Sequence, residues 1–116
     1  RTQSLITARK GQKIGEVIET MKKDGISQMP VVSADGSSVG MIHEYDLLNA
    51  LVSGNYSLSD PIDVLVMPLQ GVVTPETTIG QLRAVFSQDN VAVVREGQKV
   101  AAIVTKIDLI EFLARR

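Results

Sequence analysis

The stretch Ile103–Ala114, "IVTKIDLIEFLA", decides the fold, because a near copy, "MIHEYDLLNALV" (Met41–Val52), stands about sixty residues earlier in the chain. Each copy carries an apolar run, a carboxylate, and then apolar residues at helical spacing. The later copy has Thr105 three residues before Asp108, whereas the earlier one keeps Asp46 and has His43 where the hydroxyl would be. One capping residue is enough to start a helix, so a repeated carboxylate invites a functional reading.

Working outward, the repeat extends over the whole chain. Ile14-Gly15 aligns with Ile79-Gly80, Val31-Val32 with Val93-Val94, and Asp46-Leu47 with Asp108-Leu109. In the first copy Ile14, Val17, Ile18 and Met21 mark one face of an amphipathic helix that Gly25 stops. "MPVVS" and "VGMIH" read as strands joined through Asp35-Gly36, a hairpin signal, and a second helix runs from Glu44 to about Val52, ended by Gly54 and Asn55. The second copy repeats this order: a helix from about Thr78 to Gln88, strands "VAVVR" and "KVAAIVT" around Glu96-Gly97, and a last helix from Lys106. The prediction is an α/β (α+β) fold, a β-α-β-β-α unit used twice. Repeat one spans 1–54, a linker with a short helical turn near Pro61–Met67 spans 55–70, and repeat two spans 71–116.

Composition narrows the function. The 116 residues carry 12 basic and 13 acidic side chains, no Trp and few aromatics, which argues against nucleic acid as a partner. No cysteine is present, so thiolate catalysis and zinc–cysteine sites are excluded, and a cytoplasmic setting fits. We find no membrane span, secretion signal, metal-spaced His and carboxylate cluster, P-loop or nucleophile elbow. Catalysis by this chain is not expected. Because it starts at Arg1 without Met, it is expected to be a piece of a longer protein.

"LITARKGQKIGEVIETMKKDGISQMPVV", "VGMIHEYDLLNAL", "VVTPETTIGQL" and "AAIVTKIDLIEFL" resemble, in order, the elements of a CBS-domain pair, or Bateman module. "GISQMPVV", "VGMIHEYDLLNALVSG" and "IVTKIDLIEFLA" are further similar to the C-terminal regulatory region of pyridoxal-phosphate-dependent cystathionine beta-synthases. The resemblance implies a regulatory module rather than an enzyme. Such a module binds an adenosine-containing effector, S-adenosylmethionine or AMP, ADP or ATP, and allosterically controls a fused catalytic domain. It further implies a homodimer formed through helices.

On the residue level the resemblance implies a site at Thr105, Lys106, Ile107 and Asp108, completed by Ser4, Leu5, Ile26, Gln28 and Pro30. Leu5, Ile26 and Ile107 would form an apolar slot for adenine. The local chemistry agrees: a carboxylate such as Asp108 accepts from both ribose hydroxyls, and Thr105 at a helix mouth with Lys106 beside it suits a phosphate. The alternative for Thr105 is an ordinary N-cap, and for Asp108 a first-turn acid favoured by the helix dipole. For Leu5 and Ile26 it is core packing.

The copies are not equivalent. Asp46 with His43 makes a second, weaker site, where Glu44 repels a phosphate chain. His43 by itself reads as a strand-end surface or capping residue rather than as a ligand group or pH switch. Ala102 stands where the family usually has Gly, and Ile26 offers no aromatic face to adenine. Two other functions stay open: an adenine-nucleotide sensor of another host enzyme or transporter, and a dimerisation module without a ligand. The stripes Leu47, Leu48, Leu51 and Ile110, Leu113 suit either a core or a partner chain.

Overall fold

Valine-rich strand pairs organise the chain, one in each copy of the repeat. The computed structural model describes residues 5–116, and they divide into two compact units, 6–68 and 69–116, with Leu5 grouped with the second.

In the first unit, strand β1 (Ala8–Arg9) lies parallel to β2 (Gln28–Val32), which pairs antiparallel with β3 (Ser38–His43). Helix α1 (Ile14–Asp24) and helix α2 (Glu44–Ser53) supply the cover. The expected α1 face is the one buried: Ile14, Val17 and Met21 join Met29, Val31, Ile42 and Leu47 in one core, with Ile18 packed beside it. Gly25 takes the left-handed conformation (φ 65°) that closes α1, and Gly54 (φ 78°) does the same for α2.

The stretch read as a linker is built into this unit. Ile62 is fully buried in the core. The carbonyls of Asp60 and Leu58 accept the N–H groups of Ile14 and Gly15, at 2.8 and 2.9 Å, so a distant segment satisfies the open donors of α1 where no side chain caps it. The short turn materialises as a 3-10 helix, Asp63–Leu65, and the Asp63 carboxylate accepts the Gly11 N–H at 2.6 Å. Met41 then exchanges both of its backbone hydrogen bonds with Met67, each 2.8 Å. That pairing explains Pro30 in the middle strand: Met41, opposite Pro30, turns its N–H and C=O away from β2, so the missing proline N–H removes no ladder bond.

The turn between β2 and β3 is held by Asp35. Its Oδ1 accepts the Ser33 hydroxyl at 2.6 Å and the Ser37 N–H at 2.9 Å, and Gly36 supplies the positive φ of 86°. These bonds, the Ser33 hydroxyl first, hold the carboxyl at about 2, below its usual 3.8. With the folded value depressed, the turn's contribution is complete above about pH 4 and is lost as pH falls through 3.8 toward 2. A carbon-detected titration of Asp35 should therefore show a midpoint near 2. A midpoint near 3.8 would mean that the two bonds do not form in solution.

The second unit repeats the plan. Strand β4 (Val72–Val73) is parallel to β5 (Val91–Glu96), which pairs antiparallel with β6 (Lys99–Thr105), and helices α3 (Ile79–Phe86) and α4 (Lys106–Arg115) follow β4 and β6. Its core of Val73, Phe86 and Ala92 is smaller, flanked by Leu82, Val85, Val94, Val104 and Leu109. Thr78 and Gln81 form a capping box at the start of α3. The helix stops at Phe86, two residues before the expected Gln88, because Ser87 and Gln88 bond back three residues to Ala84 and Val85. Each hairpin carries a bulge, at Val31/Val32 in the first and, one residue farther along in the repeat alignment, at Val94/Arg95 in the second. No described helix is long and apolar enough to cross a membrane.

Candidate functional site

The start of α4 concentrates the chemistry that the sequence points to. Strand β6 runs directly into the helix, so Thr105 ends the strand in an extended conformation (φ −105°, ψ 168°) and becomes the N-cap. Its Oγ1 accepts the Asp108 N–H at 3.3 Å, and Asp108 Oδ2 accepts the Thr105 N–H at 2.8 Å. The two residues close a reciprocal capping box, which satisfies two backbone donors that the helix end would otherwise leave open.

Capping does not exhaust these groups. Asp108 Oδ1 is left to accept from a ligand, and the Thr105 hydroxyl, which only accepts within the box, keeps its proton to donate. Lys106 is exposed in the first turn, where it is a positive charge beside the positive end of the helix dipole, an arrangement that attracts an anion. Ile107, 58 % exposed, adds apolar surface next to them. Thr105, Lys106, Ile107 and Asp108 thus come together at one helix mouth in the second unit.

The remaining candidates have their own settings. Leu5 is exposed, and Ser4 lies outside the described residues. In the first unit Ile26 is partly buried against the core, Gln28 opens β2 and accepts from the Ser27 hydroxyl at 2.9 Å, and Pro30 is fully buried. Ala102 sits in β6 opposite Val94, and no non-glycine residue described has positive φ, so its methyl group is accommodated without strain. Among the described residues no three His, Cys, Asp or Glu side chains are placed to hold a metal ion.

The matching position in the first unit differs. His43 is the N-cap of α2 but its side chain makes no cap bond, and the first-turn N–H of Glu44 goes to the Ser27 carbonyl at 2.9 Å. Asp46 consequently has no hydrogen-bond partner among the described residues. It lines an open cleft of about 340 Å³, together with Asn49 and Ser53 farther along α2 and with Asn55 and Tyr56 after it. His43 is not part of that lining. The helix side of the cleft was legible in the spacing of Asp46, Asn49 and Ser53, one face of α2. The other wall, Val64, Leu65 and Met67, was not, since it depends on how the strap folds back.

The helical stripes divide between core and surface. Leu47 is buried, whereas Leu48 on α2 and Ile110 and Phe112 on α4 are more than half exposed.

Comparison with known proteins agrees with this architecture. A family model described as CBS domain matches residues 2–53 and again 59–115. The cystathionine beta-synthase of Oryctolagus cuniculus is 25 % identical over 124 residues, covering 96 % of this chain and 22 % of that protein. The chain spans less than half the length of the curated relatives it matches. The CBS-domain containing protein ATU1752 from Agrobacterium tumefaciens superposes with a TM-score of 0.80 at 24 % identity, over 100 % of this chain and 87 % of that one. CBSX2, solved in complex with AMP, gives a TM-score of 0.80 at 20 % identity, over 97 % and 90 % of the two chains. At these identities the likeness of the solved structures is one of fold.

Proposed function

Since this chain belongs to the CBS domain family, we propose that it is a regulatory module sensing an adenosine-containing effector, with the start of α4 as its principal contact. The observation that carries this reading is the split use of Thr105 and Asp108, whose capping bonds leave one carboxylate oxygen and one hydroxyl proton for a ligand. Asp108 Oδ1 accepts from a ribose hydroxyl, and Thr105 and Lys106 take the phosphate or other polar end. The AMP complex of CBSX2, a protein of the same fold, supports an adenine nucleotide, and S-adenosylmethionine is the other effector in this class. Asp46 with His43 is the weaker second position, with Glu44 beside it to repel a phosphate chain.

Similarity to cystathionine beta-synthase over 96 % of the chain supports a host enzyme of that kind, dependent on pyridoxal phosphate as the family resemblance implies, and the lack of cysteine fits a cytoplasmic setting. The effector then acts by shifting a packing equilibrium that already exists, to an extent limited by its differential affinity for the two states. Exposed apolar residues on α2 and α4, Leu48, Ile110 and Phe112 among them, support a homodimer.

The test separates capping from binding. An amide at position 108 still accepts the Thr105 N–H but loses the charge that a ribose pair uses, so Asp108→Asn should melt close to wild type without ligand. Asp108→Ala should lose about 1 kcal/mol with the cap. At a ligand concentration near a hundred times its dissociation constant the wild-type chain should gain about 2.7 kcal/mol, and a tenfold weaker Asp108→Asn about 1.4 kcal/mol. Melting curves with S-adenosylmethionine, AMP, ADP and ATP read this directly. An equal response in Asp108→Asn removes Asp108 from the site, and no response in wild type to any of the four leaves a dimerisation module.

A further inference from the structure

Two Asp-Gly pairs stand in the first unit, Asp24-Gly25 at the end of α1 and Asp35-Gly36 in the turn between β2 and β3. Such a pair is chemically vulnerable, because glycine has no Cβ to shield its backbone nitrogen. That nitrogen can attack the aspartyl Cγ: the new N–C bond closes a five-membered succinimide, and the carboxyl OH leaves with the amide proton as water. A second water then opens the ring at either carbonyl, giving aspartate back or isoaspartate, in which the main chain runs through Cβ. The step needs a protonated, unengaged carboxyl and a backbone nitrogen able to swing toward it.

The fold treats the two pairs differently. At Asp35 both reactants are engaged: Oδ1 accepts from the Ser33 hydroxyl and the Ser37 N–H, and the Gly36 N–H donates to the Ser33 carbonyl at 2.9 Å. The Ser33 N–H closes the turn on the Ser37 carbonyl, also at 2.9 Å. The bonds to the carboxyl hold it at about 2 rather than 3.8, which lowers its protonated fraction at pH 7 by on the order of tenfold or more. At Asp24 the carboxylate is exposed and, among the described residues, has no hydrogen-bond or ion-pair partner. A Cβ built on Gly25 would meet nothing within 4 Å. The Gly25 and Ile26 N–H groups both donate to the Met21 carbonyl, in the last turn of α1, and helix ends open at little cost.

We infer that Asp24-Gly25 is a modification site of the folded chain, where isoaspartate forms, and that the turn at Asp35-Gly36 keeps the second pair from the same reaction. The consequence is a lasting change at the end of α1. An extra main-chain atom before Gly25 puts the Gly25 and Ile26 N–H groups out of register with Met21, so the helix loses its cap and Ile26 shifts against the core. The inference does not depend on what the α4 site binds.

Ageing the chain at 37 °C and pH 7, folded and in urea, tests this, with isoaspartate located by mass spectrometry of its peptides under electron-transfer fragmentation. In urea the two sites should convert at comparable rates. In the folded chain Asp24 should lead Asp35 by about fivefold or more. Ser33→Ala should narrow that lead by releasing the Asp35 carboxyl, and Ser33→Thr, which keeps the hydroxyl, should preserve it. Equal rates in the folded chain, Asp35 ahead, or no isoaspartate at position 24 while a peptide of residues 20–29 converts would overturn the inference. A lead unchanged by Ser33→Ala would remove the turn as the guard of Asp35. The comparison of folded and urea-treated wild type decides the matter even if Ser33→Ala loosens the hairpin.

Discussion

Gly40→Ala is expected to destabilise the first unit by about 3 kcal/mol or more, well above the effect of a methyl group added at a glycine with open space around it. Gly40 lies in β3 at φ 154°, a conformation that L side chains rarely adopt. A Cβ built there runs into the Met67 carbonyl oxygen and comes within 2.6 Å of Val66 Cγ1. The Met67 carbonyl cannot withdraw cheaply, because the Met41–Met67 hydrogen bonds pin that backbone against the strand. Strain and overpacking contribute roughly 1–3 kcal/mol each, against a total stability of about 5–15 kcal/mol for an ordinary domain. Two other glycines calibrate the measurement. Gly25→Ala has a positive φ but open space around it and should cost about 1 kcal/mol, while Gly80→Ala, in the first turn of α3 with nothing within 4 Å, should be neutral or stabilising by up to about 1 kcal/mol. Urea midpoints at constant m-value read all three. A Gly40→Ala loss no greater than that of Gly25→Ala would show that the strap is not seated on β3.

Ile62→Ala is expected to cost about 3 kcal/mol, in the range of a fully buried large-to-small change. Ile62 is 0 % exposed and touches the core made by Ile14, Val17 and Val31, although it stands in a stretch whose composition reads as a connector. Its N–H also donates to the Gln12 carbonyl at 2.9 Å, which keeps the strap in register with the start of α1. Val64, two residues on and 72 % exposed, is the internal control: Val64→Ala should stay within about 0.5 kcal/mol of wild type. Denaturation of the two variants side by side distinguishes a strap that belongs to the core from a tether that merely passes over it. A loss below about 1 kcal/mol in Ile62→Ala would favour the tether.

Much of this molecule was legible in the order of its residues. Ile14, Val17, Ile18 and Met21 repeat at helical spacing, and α1 buries that face; Gly25 and Gly54 stand where α1 and α2 end. The pairing of Val31 with Gly40 and of Val94 with Ala102 follows from two apolar runs brought together by a short turn. Thr105 as an N-cap and Asp108 as a first-turn acid were legible as alternatives to a ligand role, whereas their reciprocal capping box came from the structure and leaves one carboxylate oxygen and the hydroxyl proton unused. These features share a cause: each depends on residues a few positions apart, where periodicity, capping and turn chemistry act directly.

What the sequence by itself determined, then, is the repeated β-α-β-β-α plan, the helix faces and caps, and the placing of Thr105, Lys106, Ile107 and Asp108 at one helix mouth. Only the tertiary structure decided that residues 58–67 form a strap, that Ile62 belongs to the core, that Gly40 must be glycine, and that Asp46 faces a cleft walled by Val64, Leu65 and Met67. The physical reason is separation along the chain: the Met41–Met67, Gly15–Leu58 and Gly11–Asp63 hydrogen bonds join backbone or side-chain groups that carry no local pattern, and their partners are set by how the segments fold back rather than by the residues beside them.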